Sequence, residues 1–440
     1  VIDIFALGPH AAWRCRHSGA CCTSNWPIDI DAPRRDRLAA AVRDGAIALP
    51  PGAAPFETHD EETDAASVVP SNASARQPRI DGATEGGGAG SGAHPIILGR
   101  TPHGACVFHD GEARRCRVHG ALGHAALPLA CRQFPRVCLT DPRGVRVSLS
   151  HYCPSAAARL FDEALPLTIV RAPDAFPAGG EYDGLDARDA FPPLLRPGVL
   201  MDWETVDALE QLGVALFAAE TASPRAALDR FAAICEALRG WRAADGPMAG
   251  RLRAIAADTA GAAGAAEPAD AAGAAGSPAS GGVMSASYEE QAALLDWPEI
   301  LKRDAEVRAS DPAPHDDTFG PAAASEEMRI RSAYLSRVAP VWGTFTRPVC
   351  RYLAARLFGG WCWYQGQGLR SLVRSLDAAL SVLQIEAARQ MGDDGSMLDR
   401  EQLREAIRQT DLRLLHLASP DALAARWSDA EQDSISIRSK

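Results

Sequence analysis

Apolar positions along this chain follow two regimes. Up to about residue 153 they form short alternating or clustered runs broken by Gly, Pro and Asp, and beyond about residue 200 they recur at helical spacing. Trp26 to Asp31, reading WPIDID, alternates apolar and acidic residues and predicts a short strand with one buried face. A helix should follow, with Asp31 as its cap, Pro33 in its first turn, Leu38 and Val42 one turn apart and Gly45 at its end. HPIILG and CVFHDGEARRC predict further short strands, the second a hairpin turning at Asp110-Gly111 and bracketed by Cys106 and Cys116. VCLTDPRGVRVSLSHYC predicts a strand pair turning at Asp141 to Gly144. It leads into Cys153-Pro154, where a helix should begin with Cys153 at its cap and its thiolate stabilised by the helix dipole and free backbone N–H groups.

Asp202 heads the helical run DWETVDALEQLGVALFAAE, and Ser223-Pro224 heads another that puts Leu228, Phe231, Cys235 and Leu238 on one face. Helical periodicity returns over 287–303, 326–341 and 348–389, and Asp399 with Gln402 three residues on predicts a last capped helix. Residues 50–93, rich in Pro, Gly, Ala, Ser and acids, predict a flexible insertion, and the Ala/Gly tract over 256–282 a linker too poor in large apolar groups to repay ordering. The expected class is α+β. A small cysteine-rich domain over 1–160, with short strands around a metal centre, should precede a helical region over 161–255, the linker, and a C-terminal helical region over 283–440.

The chain is 47% hydrophobic over 440 residues, enough for real cores, and its net charge of -11 argues against a general phosphate-binding surface and so against a nucleic-acid partner. No apolar run approaches the roughly 18 to 20 residues that cross a bilayer, and Val1 to Trp13 lacks a basic leader. The expectation is a cytoplasmic protein without a membrane partner.

The chemistry lies in the cysteines. Cys15, Cys21, Cys22, Cys106, Cys116, Cys131, Cys138 and Cys153 all fall in the first 153 residues. In a reducing compartment such clustering points to metal ligation rather than disulfides, and adjacent Cys21 and Cys22 would make a poor disulfide. The candidate ligands are Cys15, Cys21, Cys22, Cys106, Cys116, Cys131 and Cys153. Cys138, Cys235, Cys350 and Cys362 sit in apolar contexts and read as packing residues. His17, His109, His119 and His151 are near enough in sequence to matter, but nothing singles one out. With no C-x2-C pair for a zinc knuckle, thiols spread over several blocks suit an iron-sulfur cluster, a four-iron (4Fe-4S) one first, with zinc as the alternative. Arg14, Arg16, Arg115, Arg117 and Arg132 either offset thiolate charge or form a solvated surface. Asp29 and Asp31 read as a strand edge and a helix cap, so no catalytic residue is named.

The segment WRCRHSGACCTSNWPIDID, spaced C-x2-S-x2-C-C, resembles the C-x2-C-x2-C-C signature of a zinc- or iron-chelating cysteine-cluster family, with Ser18 in place of its second cysteine. The CCxxW-x-I-x-I-D extension is similar to the flagellin lysine-N-methylase branch. Cys106, Cys116, the LACRQFPR block at Cys131 and the SLSHYCPSAA block at Cys153 follow in the order such proteins show, and RYLAARLFGGW resembles that branch's C-terminal region. The resemblance implies a metal or iron-sulfur centre and transfer of methyl groups from S-adenosylmethionine to lysines of a protein substrate. A hydroxyl is a far poorer ligand than a thiolate, so Ser18 requires a substitute, with His17, Cys116 and Cys153 as candidates, or a weaker site. The chain lacks the C-x3-C-x2-C arrangement of enzymes that cleave S-adenosylmethionine by radical chemistry. A non-enzymatic iron- or zinc-binding module, for metal handling or protein interaction, accounts for the same cysteines.

Overall fold

In a computed structural model, the described residues are 3–24, 26–58, 96–176, 184–219, 223–264, 302, 304–305, 321–392, 394–418 and 422–427. The WPIDID segment lies extended, with Leu98 N donating to Ile28 O at 2.9 Å and Ile30 N to Ile96 O at 3.1 Å. Its partner, Ile96–Leu98, also pairs antiparallel with Phe56–Thr58. Helix α1 (Ala32–Arg43) then starts under Asp31, whose carboxylate accepts the Arg34 N–H, an arrangement that satisfies one of the free donors of a helix start. Leu38 from α1 meets Ile28, Ile30, Leu98, Val107 and Phe108 in a small core that belongs to this cysteine-bearing unit.

Among the described residues the main sheet has five strands in the order β4-β1-β3-β2-β5, where β1 is Ile4–Leu7, β2 Arg136–Asp141, β3 Gly144–Leu149, β4 Ile169–Arg171 and β5 Gly184–Asp186. Strands β2 and β3 form an antiparallel hairpin, while β1 runs parallel to β3 and β5 parallel to β2. At the turn the Asp141 carboxylate accepts the Arg143 N–H at 2.9 Å. Gly144 follows with φ of 118°, and a Cβ there would fall 2.5 Å from the Asp3 carbonyl oxygen, so only glycine admits the strand beside it.

Behind the sheet stand α2 (Trp203–Ala218), α3 (Pro224–Arg239), α4 (Met248–Gly264), α5 (Thr346–Leu357), α6 (Leu369–Arg389) and α7 (Arg400–Asp411), with α6 packed on α3, α5 and α7. Asp202 caps α2, Ser223 caps α3, and Asp399 with Gln402 forms a reciprocal capping box on α7. Leu7 of β1 and Leu160 share one apolar core with Leu209, Phe231, Leu353 and Leu383 of these helices. A buried ionic group also ties hairpin to helix: Glu210 of α2 accepts from Arg146 Nε at 2.7 Å and from the Gly359 N–H at 3.1 Å, and Arg143 pairs with Asp141 at 2.7 Å.

The class is α+β with a helical C-terminal region. Leu7 and Leu160 pack in the core of the helical body, while the cysteine-bearing unit has a core of its own. Residues 161–201 carry β4, β5 and a small hairpin of Leu194–Arg196 with Val199–Leu200, and the first α-helix described after residue 161 is Trp203–Ala218. The insertion expected over 50–93 begins with chain that is bound into the unit, since Phe56–Thr58 pairs in register with Ile96–Leu98; positions 59–93 lie outside the described residues. Likewise α4 extends to Gly264, through the start of the expected 256–282 linker, and positions 265–282 lie outside the described residues. Among the described residues no helix is long and apolar enough to cross a membrane.

Candidate metal centre

The chain turns at Gly19, in the left-handed region with φ of 79°, into a single 3-10 turn over Ala20–Cys22. This turn puts the sulfurs of Cys21 and Cys22 3.8 Å apart. The Cys106 N–H donates to the Cys22 carbonyl at 2.8 Å, which anchors the second cysteine block to the first. Cys116 is brought in by the His109–Asp110 and Arg115–Cys116 hairpin, where it is the direct partner of His109. Cys131 arrives on the short helix Leu129–Gln133, and Cys22, Cys106, Cys116 and Cys131 all pack on the cysteine-bearing unit's own core.

These thiols feel one another. The hydrogen bond between the neighbours favours the thiolate of Cys21 and pushes the Cys22 thiol up, helped by burial and by the charges of Cys21, Cys116 and Cys131. Burial pushes Cys106 up to about 12, with Cys116 and Cys21 adding to the effect. Burial likewise raises Cys131, and the charges of Cys21, Cys106 and Cys116 raise it further. Ionising several of these sulfurs together is therefore costly unless a cation stands among them.

A local device recurs around the cysteines, in which a sulfur accepts a backbone N–H from two or three residues on. Cys15 accepts from His17 N at 3.4 Å, Cys106 from Phe108, Cys116 from Val118 and His119, and Cys153 from Ser155 and Ala156. Such bonds stabilise thiolates, the form that ligates metal. Cys350 of the helical core differs, since burial alone raises it to about 12.

Cys15 and Cys153 stand at the margin of the group. Cys15 is exposed, and Cys153 is buried beside Trp13, Leu149 and Ala156, near enough to Cys15 and Cys21 to feel their charge. The cap position expected for Cys153 is present, ahead of a helix of only one turn, Pro154–Ala157. The expected stabilisation of its thiolate is outweighed: burial pushes the thiol up despite the N–H groups of Ala156 and Ser155. Cys138 is buried against Val145 and Val147, and Cys235 and Cys350 lie in the helical core. Among the described residues no group of three or more His, Cys, Asp or Glu side chains is placed closely enough to hold a single metal ion.

Sequence reasoning missed a buried polar chain at the junction of sheet and helices. His10 Nε2 lies 3.2 Å from His151 Nε2, Asp411 of α7 binds His151, and the Tyr352 hydroxyl of α5 donates to Asp411 at 2.9 Å. Its members lie up to 401 positions apart (411 − 10), so no local pattern could reveal it. Trp26 docks the cysteine-bearing unit onto the same region, its ring 5.3 Å from Tyr152 and 4.7 Å from His416. A cavity of about 90 Å³ at the junction is lined by His151, Arg356, Trp361, Cys362 and Trp427 among others. An open one of about 500 Å³ is lined by Arg16, Ser155, Arg159, Phe161, Asp162 and Arg400 among others.

No protein-family model matches the chain, and no solved structure matches it. A stretch of 60 residues is 42% identical to the flagellar biosynthetic protein FliU of Salmonella muenchen, covering 14% of this chain and 35% of that protein. The chain thus spans about a third of the length of the curated relative it matches, and what the match supports is a loose link to a flagellar biosynthetic protein.

Proposed function

We propose that this chain is a metal protein whose centre is held by Cys21, Cys22, Cys106, Cys116 and Cys131, with Cys15 and Cys153 as outlying ligands, and that it transfers methyl groups from S-adenosylmethionine to lysines of a partner protein. The observation that carries the metal part is that cysteines from separate sequence blocks share one small core: the Gly19 turn sets the Cys21 and Cys22 sulfurs 3.8 Å apart, the Cys106 N–H donates to the Cys22 carbonyl, and Cys116 and Cys131 pack on the same core. The donor set is of the soft kind that holds iron-sulfur clusters or zinc. When bound, such a centre would supply redox or Lewis-acid chemistry, or would hold the unit together.

The methyl-transfer part rests on the link to the flagellar protein and on the four cysteine blocks. The open cavity offers guanidinium groups from Arg16, Arg159 and Arg400 for a carboxylate, beside the Phe161 ring and the Asp162 carboxylate. Its volume falls in the usual range for small-molecule sites, roughly 300–1,000 Å³, whereas the 90 Å³ cavity does not.

One observation favours a second reading, a structural zinc site in a non-enzymatic module. Zinc-thiolate bonds of about 2.3 Å place the sulfurs of a tetrahedral site about 3.8 Å apart, the separation of Cys21 and Cys22. The unit's small separate core would benefit from such a staple. Anaerobic purification with an absorption spectrum, elemental analysis and calorimetry against S-adenosylmethionine tests both readings. Iron with acid-labile sulfide and donor binding supports the enzyme; stoichiometric zinc without donor binding supports the module, and protein that takes up neither metal overturns both.

A further inference from the structure

His109 lies in the cysteine-bearing unit, on the hairpin that carries Cys116. Its Nε2 is buried and has no hydrogen-bond partner. A buried acceptor or donor left unpaired costs about 1–3 kcal/mol, so such an atom inside an ordered hairpin calls for a partner of another kind. Its surroundings say which. The His109 backbone N–H donates to the Cys106 carbonyl at 2.9 Å, and across the hairpin His109 pairs residue for residue with Cys116. The ring meets the Gly19 turn so closely that a Cβ on Gly19 would lie 2.9 Å from Nε2. This turn delivers Cys21 and Cys22, two and three residues on. The unpaired nitrogen thus faces the turn that carries Cys21 and Cys22, on a residue whose backbone is bound to Cys106 and paired with Cys116.

We propose that His109 Nε2 is a ligand of the metal centre, completing a mixed sulfur and nitrogen donor set beside Ser18, where the chain carries a hydroxyl. The inference rests on the metal reading given above. Neutral imidazole is a good donor to zinc and to iron, and replaces thiolates on one iron of some clusters. His17 is the weaker substitute. It is exposed, with φ of 52°, and its ring faces His119, 6.0 Å away, which places it at the rim.

The test is X-ray absorption at the edge of whichever metal the anaerobically purified or reconstituted full-length chain holds, for wild type, His109→Ala and His109→Cys, with circular dichroism to confirm folding. Wild type should show one imidazole shell per centre. His109→Ala should lose that shell and bind metal at least ~10-fold more weakly, and His109→Cys should keep metal with the imidazole replaced by sulfur. An all-sulfur shell in wild type, or an imidazole shell that survives in a folded His109 variant, overturns the assignment while leaving the metal reading intact. Wild-type protein that holds no metal even after reconstitution overturns both.

Discussion

The carboxylate of Asp411 accepts the backbone N–H of His151 at 2.6 Å and faces the same residue's Nδ1 at 3.0 Å. Through this double contact the last turn of α7 grips the end of the β2–β3 hairpin just ahead of Cys153. The same carboxylate accepts from Tyr352 of α5, so three parts of the chain meet on one buried acid. Burial pushes the Asp411 carboxyl up, but the hydrogen bonds from His151 and the charges of His151 and Arg356 together outweigh it and hold it at about 2.

Replacing Asp411 by Ala should therefore cost about 3–5 kcal/mol, since it strands a buried His, a buried Tyr hydroxyl and a backbone N–H at once. Asp411→Asn, which keeps an acceptor, should cost less. Urea unfolding followed by tryptophan fluorescence measures both, and an Ala variant within ~0.5 kcal/mol of wild type would show that the acid does not hold the junction.

His416 makes stability depend on pH. Burial lowers it to about 4, and it lies 2.8 Å from the Ser150 hydroxyl. Its ordinary value is near 6.5, so between those limits the unfolded chain binds the extra proton and stability falls as pH falls. The loss should reach about 3 kcal/mol from pH 6.5 down to pH 4 and then level off. The contribution of Asp411 is lost lower, as pH falls from about 4 toward 2. His416→Gln should flatten the upper window; parallel pH profiles for the variant and wild type would refute this.

Glu210 is fully buried and accepts from Arg146, Arg143 and the Gly359 N–H. Glu210→Gln removes the carboxylate that Arg146 and Arg143 share, while Asp141 and Asp207 still pair with them, and should cost about 1–3 kcal/mol. A double variant with Arg146→Met should recover part of this, because it also removes the donor that the amide serves less well. If the double variant is as unstable as the sum of the singles, the two residues are not coupled.

Gly19→Ala tests the turn that faces His109. The left-handed backbone alone costs an L-residue roughly 1–2 kcal/mol, and the new Cβ would press on the His109 ring, which must shift. The expected outcome is a stability loss of about 2 kcal/mol together with weaker metal retention. Retention equal to wild type would show that the ring's position is immaterial to the centre.

The sequence by itself determined the elements whose causes are local. Asp31, Asp202, Ser223 and the Asp399–Gln402 pair cap the helices they were expected to cap, because a cap is a contact between residues three apart. The turns at Asp110-Gly111 and Asp141 to Gly144 were readable for the same reason. The candidate cysteines were readable as a set, but their arrangement was not. Spacing does not tell which blocks fold against the Gly19 turn, nor that Cys153 is buried deeply enough to raise its thiol despite its cap position. Nor could it mark His109, whose buried nitrogen becomes distinctive only once a turn from ninety residues earlier (109 − 19) closes over it. The join of sheet to helical body was hidden too, since it depends on Asp411, His151, Glu210 and Arg146 finding one another across the chain. Only tertiary structure decided these points, because burial and long-range pairing depend on which surfaces face each other, and that depends on the packing of the whole core.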